Sequence, residues 1–581
     1  MSMTAPTPRA AARRWTPERP ARLAGFGALI LALSAMPYMC GYLLVPPGKS
    51  FLGALNNVGD LSQYIAAIRQ GTQGAWRYTN QFSPDHARRL WMYTAYLLMG
   101  HVALGLSPPA AFQLMRLCCG AVLLYALARF CKLFVGPFAL RACWLFVVLA
   151  GGLYWLALPL SAFFPGLNLA SLTAPELSPL ITLLNSPHES LALAAELLGF
   201  VCILRASGAK EPLWADRHQS PTEPAQRSRF VFGAAMWFLV LALTYPFLLP
   251  TVVAVLLTYA AIEARSAWTS RIASAAPRRR LRASEVFTTE LRAIAAALTP
   301  AGLVAVYYFV VFHTDALWSH SGLVQMSAPS LTVLIFGFGM LALAAAAGAR
   351  RLHAFRRLGA DAAPPALAWF PLIWAVVNGL TLLLPIWQQG RQVLGLSVPL
   401  ALLSFLWLAG PRVVTDGLRT ALPMLRTSVL AFSSPLLLAL YTAVAAAGPE
   451  VNANYYAPSS VTAAVSWLGD HAGPSDVVLA SAGFGNLVPE ACSCQVVAGQ
   501  DFETFNLADR QAEIRQFYGA ASPTVAARVL ASIVSREAVT IVVYSPYERA
   551  FGPVELHAIR GFQLRYDQFG VQMFMSTSAH G

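Results

Sequence analysis

Apolar runs of roughly seventeen to twenty residues, almost free of charge, recur along the chain and are too long for the core helices of a soluble domain. The first extends from Leu23 to Leu44. Others follow at Phe112 to Ala128, Leu140 to Leu158, His188 to Leu204, Ile294 to Phe312, Leu331 to Ala347, Leu367 to Ile386, Val393 to Ala409 and Val429 to Ala447. The run Phe230 to Ala261 is long enough for a helical hairpin, turning at Thr244-Tyr245-Pro246 and Pro250. The pattern predicts an α-helical polytopic membrane protein with about eleven transmembrane helices.

Two stretches break the pattern. After the first span, residues 46–107 form a large loop. Within it Asn57 to Gly71 places Leu61, Ile65 and Ile68 at the spacing of one helical face, which predicts a short helix at the membrane surface. Leu90 to Leu106 reads as a further interfacial helix, because a crossing there would turn every later basic loop outward. Past Pro449 helix-like stretches (Ser459 to His471, Leu507 to Tyr518, Thr524 to Ser535) alternate with strand-like ones (Asp476 to Ser481, Gln495 to Ala498, Val539 to Tyr544, and Phe562 to Met575 as a hairpin). This alternation predicts a C-terminal α/β domain over 449–581.

Composition agrees with the bilayer as solvent: 57% of the 581 residues are hydrophobic and 12% charged. The net charge of +14 would suggest nucleic acid in a soluble protein. Here arginines gather in short loops between apolar runs, the positive-inside pattern, so no nucleic-acid partner is expected. The basic segment 1–22 is then cytoplasmic, the first helix is a retained signal anchor, and an odd number of spans in 23–448 puts the 46–107 loop and the C-terminal domain together on the extracytoplasmic side. The Arg and Ala bias points to a bacterial inner membrane. Six of the eight Cys lie in apolar runs and behave as small hydrophobes; a bridge between Cys492 and Cys494, two residues apart, is disfavoured on grounds of strain. No spacing suggests zinc.

Candidate chemistry gathers on the outer side. Asp60 stands in Gly59-Asp60-Leu61-Ser62-Gln63-Tyr64, and on a helix Gln63 and Tyr64 share its face. A carboxylate there can act as general base on an acceptor hydroxyl or coordinate a divalent cation; it can equally cap the helix. His188-Glu189 opens a helix after Asn185-Ser186-Pro187 and suits a metal, sugar or phosphate, or simple capping. In Trp387-Gln388-Gln389-Gly390-Arg391-Gln392 an arginine sits in a tight turn between two spans, where it needs an anionic partner such as a lipid phosphate, or snorkels to head groups.

The layout of a first span, a large outer loop with an early acid (Gly59-Asp60, Gln63-Tyr64, then Gly71 to Asn80), many spans and an outer α/β domain resembles the GT-C superfamily of polytopic glycosyltransferases. That superfamily includes protein O-mannosyltransferases and lipid A aminoarabinose transferases. The tail is similar to those of bacterial GT-C-like proteins at Trp467-Leu468, Val477 to Ala480, Gly485-Asn486, Gly499 to Thr504 and Phe517-Tyr518, with Gln500 where such tails have His. The resemblance implies transfer of a sugar from a polyprenyl-phosphate donor to a lipid, glycan or protein acceptor. Asp60 would take the acceptor's proton, Arg391 with Gln388 would hold the departing phosphate, and His188, Glu189, Gln63 and Tyr64 would position substrate. Many such enzymes pair two acids in the first loop, whereas Asp60 has no adjacent acid, which leaves a divalent cation open. The competing classes are a lipid-linked oligosaccharide polymerase or ligase, a transporter and a scaffold. A transporter would show paired repeats and several intramembrane charges, and only Glu196 lies deep in an apolar run.

Overall fold

A computed structural model describes residues 20–577 apart from 85–87, 138, 154–159, 161–162, 164–173, 210–222, 273–280, 324–326, 359–365, 386–387, 410–433, 451–452 and 559–560. Of the basic segments that set the predicted orientation, those within residues 1–19, 210–222, 273–280 and 410–433 fall outside the described residues. The helical body comprises α1 (Pro20–Leu43), α4 (Pro108–Phe134), α5 (Leu140–Leu149), α6 (Pro187–Ala206), α7 (Pro224–Thr244), α8 (Leu249–Ile272), α9 (Leu281–Thr314), α10 (Ala316–Leu323), α11 (Met340–Leu358), α12 (Phe370–Thr381), α13 (Ser397–Ala409) and α14 (Pro435–Ala447). Two helices, α2 (Val58–Thr72) and α3 (Thr94–His101), lie in the first loop. Several helices begin at a Ser-Pro step, at Ser107-Pro108, Ser186-Pro187 and Ser434-Pro435, where the proline supplies a helical φ and no donor to leave unpaired.

Among the described residues seven helices are long and apolar enough to cross a membrane, fewer than the eleven expected. The other four predicted positions hold the shorter α5, α12 and α14, and α6, which is buried along most of its length. In the third run α5 ends at Leu149, and beyond it Gly152 packs so closely on the Phe336–Gly337 backbone that a Cβ would stand 1.8 Å from the Phe336 carbonyl oxygen. Residues 154–159 lie outside the described set. With eight residues, or about 12 Å at 1.5 Å per residue, α3 is too short to cross a bilayer.

The C-terminal domain is a mixed five-stranded sheet flanked by helices. Its strands are β5 (Val477–Leu479), β6 (Gln495–Val496), β7 (Ile541–Tyr544), β8 (Phe562–Gln568) and β9 (Val571–Ser576), in the order β6-β5-β7-β9-β8. β5 runs parallel to both β6 and β7, and β9 is antiparallel to β7 and β8. Period-2 alternation sorts the side chains into two layers. Val478, Ala480, Ile541 and Val543 face α15 (Ser459–His471), and Val477, Leu479 and Val542 face α16 (Leu507–Tyr518) and α17 (Pro523–Glu537).

Two features join the domain to the first loop, which carries the strands β1 (Lys49–Phe51), β2 (Tyr78–Thr79) and β3 (Arg89–Leu90). β1 pairs antiparallel with β4 (Tyr456–Pro458). α2 is buried from Leu61 to Gly71, so it is not a surface helix. Its apolar face meets the helical body, while its polar face is spent on the C-terminal domain: Ser62 Oγ donates to Glu490 Oε1 at 2.6 Å, and Arg69 donates to the Pro489 carbonyl, Ser493 Oγ and Gln81 Oε1. Gln81 Nε2 donates to the carbonyls of Cys492 and Cys494, which form a disulfide against the sequence-based expectation. α2 and α3 cross at Gly71 and Gly100, where a Cβ on either would stand 2.2 Å from a backbone carbonyl of the other helix.

Candidate active site

Asn57, at a left-handed φ of +47°, turns the chain into α2 and sets Asp60 in its first turn. Asp60 is therefore not the N-cap, and its side chain has another partner: Gln500 Nε2 donates to Asp60 Oδ1 at 3.0 Å. The Gln500 amide is locked in that orientation, because its Oε1 accepts from the Phe502 and Glu503 backbone N–H groups at 2.6 and 2.9 Å. Burial pushes the Asp60 carboxyl above the usual carboxylate range, and the Arg391 charge and the Gln500 hydrogen bond oppose that push.

Asp60 and Phe502 stand in the wall between two cavities. The larger, about 850 Å³, runs between the C-terminal domain and α14, lined by Asn57, Ser62, Glu490, Gln500, Tyr547 and Tyr441 among others. The smaller, about 410 Å³, is bounded by Gln63, Tyr64, His188, Gln388 and Arg391, with aromatic walls from Tyr93, Tyr96, Tyr245, Phe247 and Trp318. Six of the seven residues singled out in the sequence thus share one cavity. Glu189 does not line it: it is buried, and its Oε2 accepts from Asn185 Nδ2 at 2.7 Å.

Arg391 lies in a 3-10 turn, Gln389–Val393, entered through Gln388 at φ +54°. Its guanidinium rests on the rings of Tyr245 and Phe247, 5.7 and 5.3 Å from their centroids, and Nη1 donates to Tyr245 Oη at 3.3 Å. Tyr245 in turn donates to Glu176 Oε1 at 3.3 Å. Arg391 Nε is buried without a hydrogen-bond partner, and no carboxylate among the described residues pairs with this cation at ion-pair distance. A fixed guanidinium that faces a cavity with no carboxylate at ion-pair distance is suited to an anion. Opposite it, Tyr64 stacks on Tyr96 at 4.5 Å, and Tyr96 Oη is 2.7 Å from His188 Nδ1, which holds the imidazole against the cavity.

Beneath Phe502, Glu503 is fully buried; it accepts from Tyr78 Oη at 2.6 Å, and burial pushes its pKa up to about 7. Tyr96, Tyr245 and Glu176 are not among the candidates the sequence offers, and Glu503 enters there only within the segment Gly499 to Thr504. The turn holding Tyr245 and the segment holding Glu503 were visible, but nothing in their spacing shows what they touch. A divalent cation finds a poor donor set: among the described residues no three His, Cys, Asp or Glu side chains gather, and Asp60 has an amide and not a second acid on its oxygen.

At the level of sequence no family model and no curated protein matches the chain. Solved structures do. The archaeal oligosaccharyltransferase AglB from Archaeoglobus fulgidus, in complex with an inhibitory peptide and a dolichol-phosphate, matches 96% of this chain and 74% of its own at 12% identity and a TM-score of 0.50. ArnT from Cupriavidus metallidurans, bound to undecaprenyl phosphate, matches over 96% and 98% at 12% identity and a TM-score of 0.50. The arabinofuranosyltransferase AftD from Mycobacteria matches 96% of this chain and 42% of its own at 13% identity and 0.50. At such identities the likeness is one of fold: the chain shares the fold of AglB, ArnT and AftD.

Proposed function

We propose that the chain transfers a sugar from a polyprenyl-phosphate donor to a lipid, glycan or protein acceptor at the outer face of a bacterial inner membrane, with its N-terminus cytoplasmic. The observation that carries this reading is the position of Asp60 between two cavities, one of which ends on an arginine with no carboxylate at ion-pair distance. The donor's phosphate sits against Arg391 and Gln388, its sugar against His188, Gln63 and Tyr64, and the acceptor enters from the larger cavity. Asp60 accepts the proton of the acceptor hydroxyl as its oxygen bonds the anomeric carbon. The bond from that carbon to the phosphate oxygen breaks, and polyprenyl phosphate leaves with the electron pair, its charge met by Arg391. Glu189 acts through Asn185 on the start of α6 and so positions His188. No step runs through a metal. AglB and ArnT, which share the fold, were each solved with a polyprenyl phosphate.

Binding of polyprenyl phosphate to the protein in nanodiscs tests the donor half. Arg391→Gln should weaken it at least tenfold, and Arg391→Lys should recover only part, since an ammonium lacks the guanidinium's planar fork. Equal binding by wild type and Arg391→Gln would place the phosphate elsewhere.

A further inference from the structure

At the opposite end of α2 from Asp60 lies a third concavity, of about 540 Å³, in the seam between the first loop and the C-terminal domain. Nine residues separate Asp60 from Arg69, which places the cleft about 14 Å along the helix axis from the carboxylate. Three arginines line it, Arg69, Arg77 and Arg89, and among the described residues no acid does. Arg69 is spent on the domain seam. Arg77 and Arg89 are exposed, and among the described residues no carboxylate pairs with either. Arg89 stands directly across from Thr79 in the β2–β3 ribbon and Arg77 lies two residues before Thr79, so the two cations sit on one side of it. Like charges gathered in a concave site focus a positive potential that an anion relieves.

The second component is an aromatic plate. Past the end of α2 at Thr72 the chain turns at Gly74, with φ +89°, where Gly74 N–H donates to the Gly71 carbonyl and Ala75 N–H to the Gln70 carbonyl. That turn throws Trp76 outward, 56% exposed. One face of the indole is covered by His101, with ring centroids 3.9 Å apart at 21°, and the His101 Nε2 is 3.1 Å from the Ala75 carbonyl oxygen. The other face is presented by a ring that is already held in place. Gln70 fixes the adjoining strand by accepting from Thr79 N–H and donating to the Thr79 carbonyl. Side-chain amides and hydroxyls from Gln73, Ser493 and Gln495 complete the lining.

We propose that this cleft binds an anionic saccharide. A sugar ring offers a flat C–H face to Trp76 and hydroxyls to Gln73, Ser493 and Gln495, and an acidic substituent on it pairs with the forks of Arg77 and Arg89. The site is separate from the cavity that ends on Arg391, and its occupancy does not depend on the transferase reading.

The test is calorimetric binding of tetragalacturonate, a hyaluronan tetrasaccharide and neutral maltotetraose to the full-length protein in phosphatidylcholine nanodiscs. Saturable binding of at least one acidic tetrasaccharide is expected, at least tenfold tighter than that of maltotetraose. Trp76→Ala and the double variant Arg77→Gln/Arg89→Gln should each weaken it fivefold or more, Trp76→Phe should restore most of the loss, and Asp60→Asn should leave it unchanged. Thermal midpoints of the variants verify that they fold. Failure of both acidic tetrasaccharides to bind folded protein overturns the proposal, as does binding indifferent to Trp76→Ala. Displacement of the bound tetrasaccharide by phosphatidylglycerol vesicles, with Arg77 and Arg89 required for both, would assign the cleft to lipid head groups and overturn it too. None of these failures touches the release of polyprenyl phosphate at Asp60.

Discussion

Replacing Gln500 with glutamate removes the neutral donor that reaches Asp60 while keeping an oxygen to accept from Phe502 and Glu503 N–H. A hydrogen bond to a charged group is worth about 1.5–3 kcal/mol, and because Asp60 faces two cavities, solvent screening brings that toward the low end. At about 1.4 kcal/mol per pH unit, the loss raises the Asp60 pKa by about one unit, and the negative charge of the introduced carboxylate acts in the same direction. Asp60 must be ionised to accept a proton, so activity falls as pH drops through its pKa. The acid limb of the pH–rate profile in Gln500→Glu should therefore lie at least about one unit above that of the wild type, with the high-pH plateau less affected. The assay is sugar transfer by protein reconstituted in lipid, followed across pH 4 to 9, roughly the span over which a raised carboxyl titrates. An acid limb that stays in place in a folded variant would refute the link between Gln500 and the ionisation of Asp60.

Gly100→Ala drives a Cβ to 2.2 Å from the Ile68 carbonyl oxygen and should cost about 1–3 kcal/mol or more, seen as a lower thermal midpoint in detergent; Gly302→Ala, which meets nothing within 4 Å, should leave it unchanged. Glu503 binds its proton more tightly in the folded protein, with a pKa of about 7 against 4.5. The stability it contributes is full below about pH 4.5 and is lost as pH rises through 7, at a slope of up to about 1.4 kcal/mol per unit. Glu503→Gln, which keeps the uncharged shape, should flatten the fall in thermal midpoint between about pH 5 and pH 8; a fall as steep as in the wild type would show that another group carries it.

The elements legible in sequence are those whose signal is local. Val477 to Ala480 and Ile541 to Val543 alternate between two apolar layers, and each side of the sheet has its helices where the 3.6-residue period put them. Asp60 stands out as an acid shortly after the first span in a loop otherwise poor in acids, and Arg391 because a cation in a tight turn between two spans is costly to hold without an anionic partner. What stayed hidden depends on partners hundreds of residues away. Arg69 and Gln70 read as the wet side of a surface helix until Gln81, Pro489 and Ser493 close over them. Gln500 comes from a domain that begins some four hundred residues after Asp60, and no spacing announces their contact. Glu189 looked equivalent to His188 from its place in the chain, yet one step along a helix turns a side chain by about 100°, which carries it from the cavity to Asn185.

The most direct test of the central claim compares wild type with Asp60→Asn in lipid, supplied with a panel of polyprenyl-phosphate sugars and an acceptor mixture, and measures free polyprenyl phosphate. The account predicts release by the wild type with one of the donors, and loss of at least a hundredfold in Asp60→Asn while donor binding is retained, in line with the 10²–10⁴ typical of a general base. Release that proceeds equally in Asp60→Asn would contradict the assignment of the base, and no release by folded wild type with any donor would contradict the transferase itself.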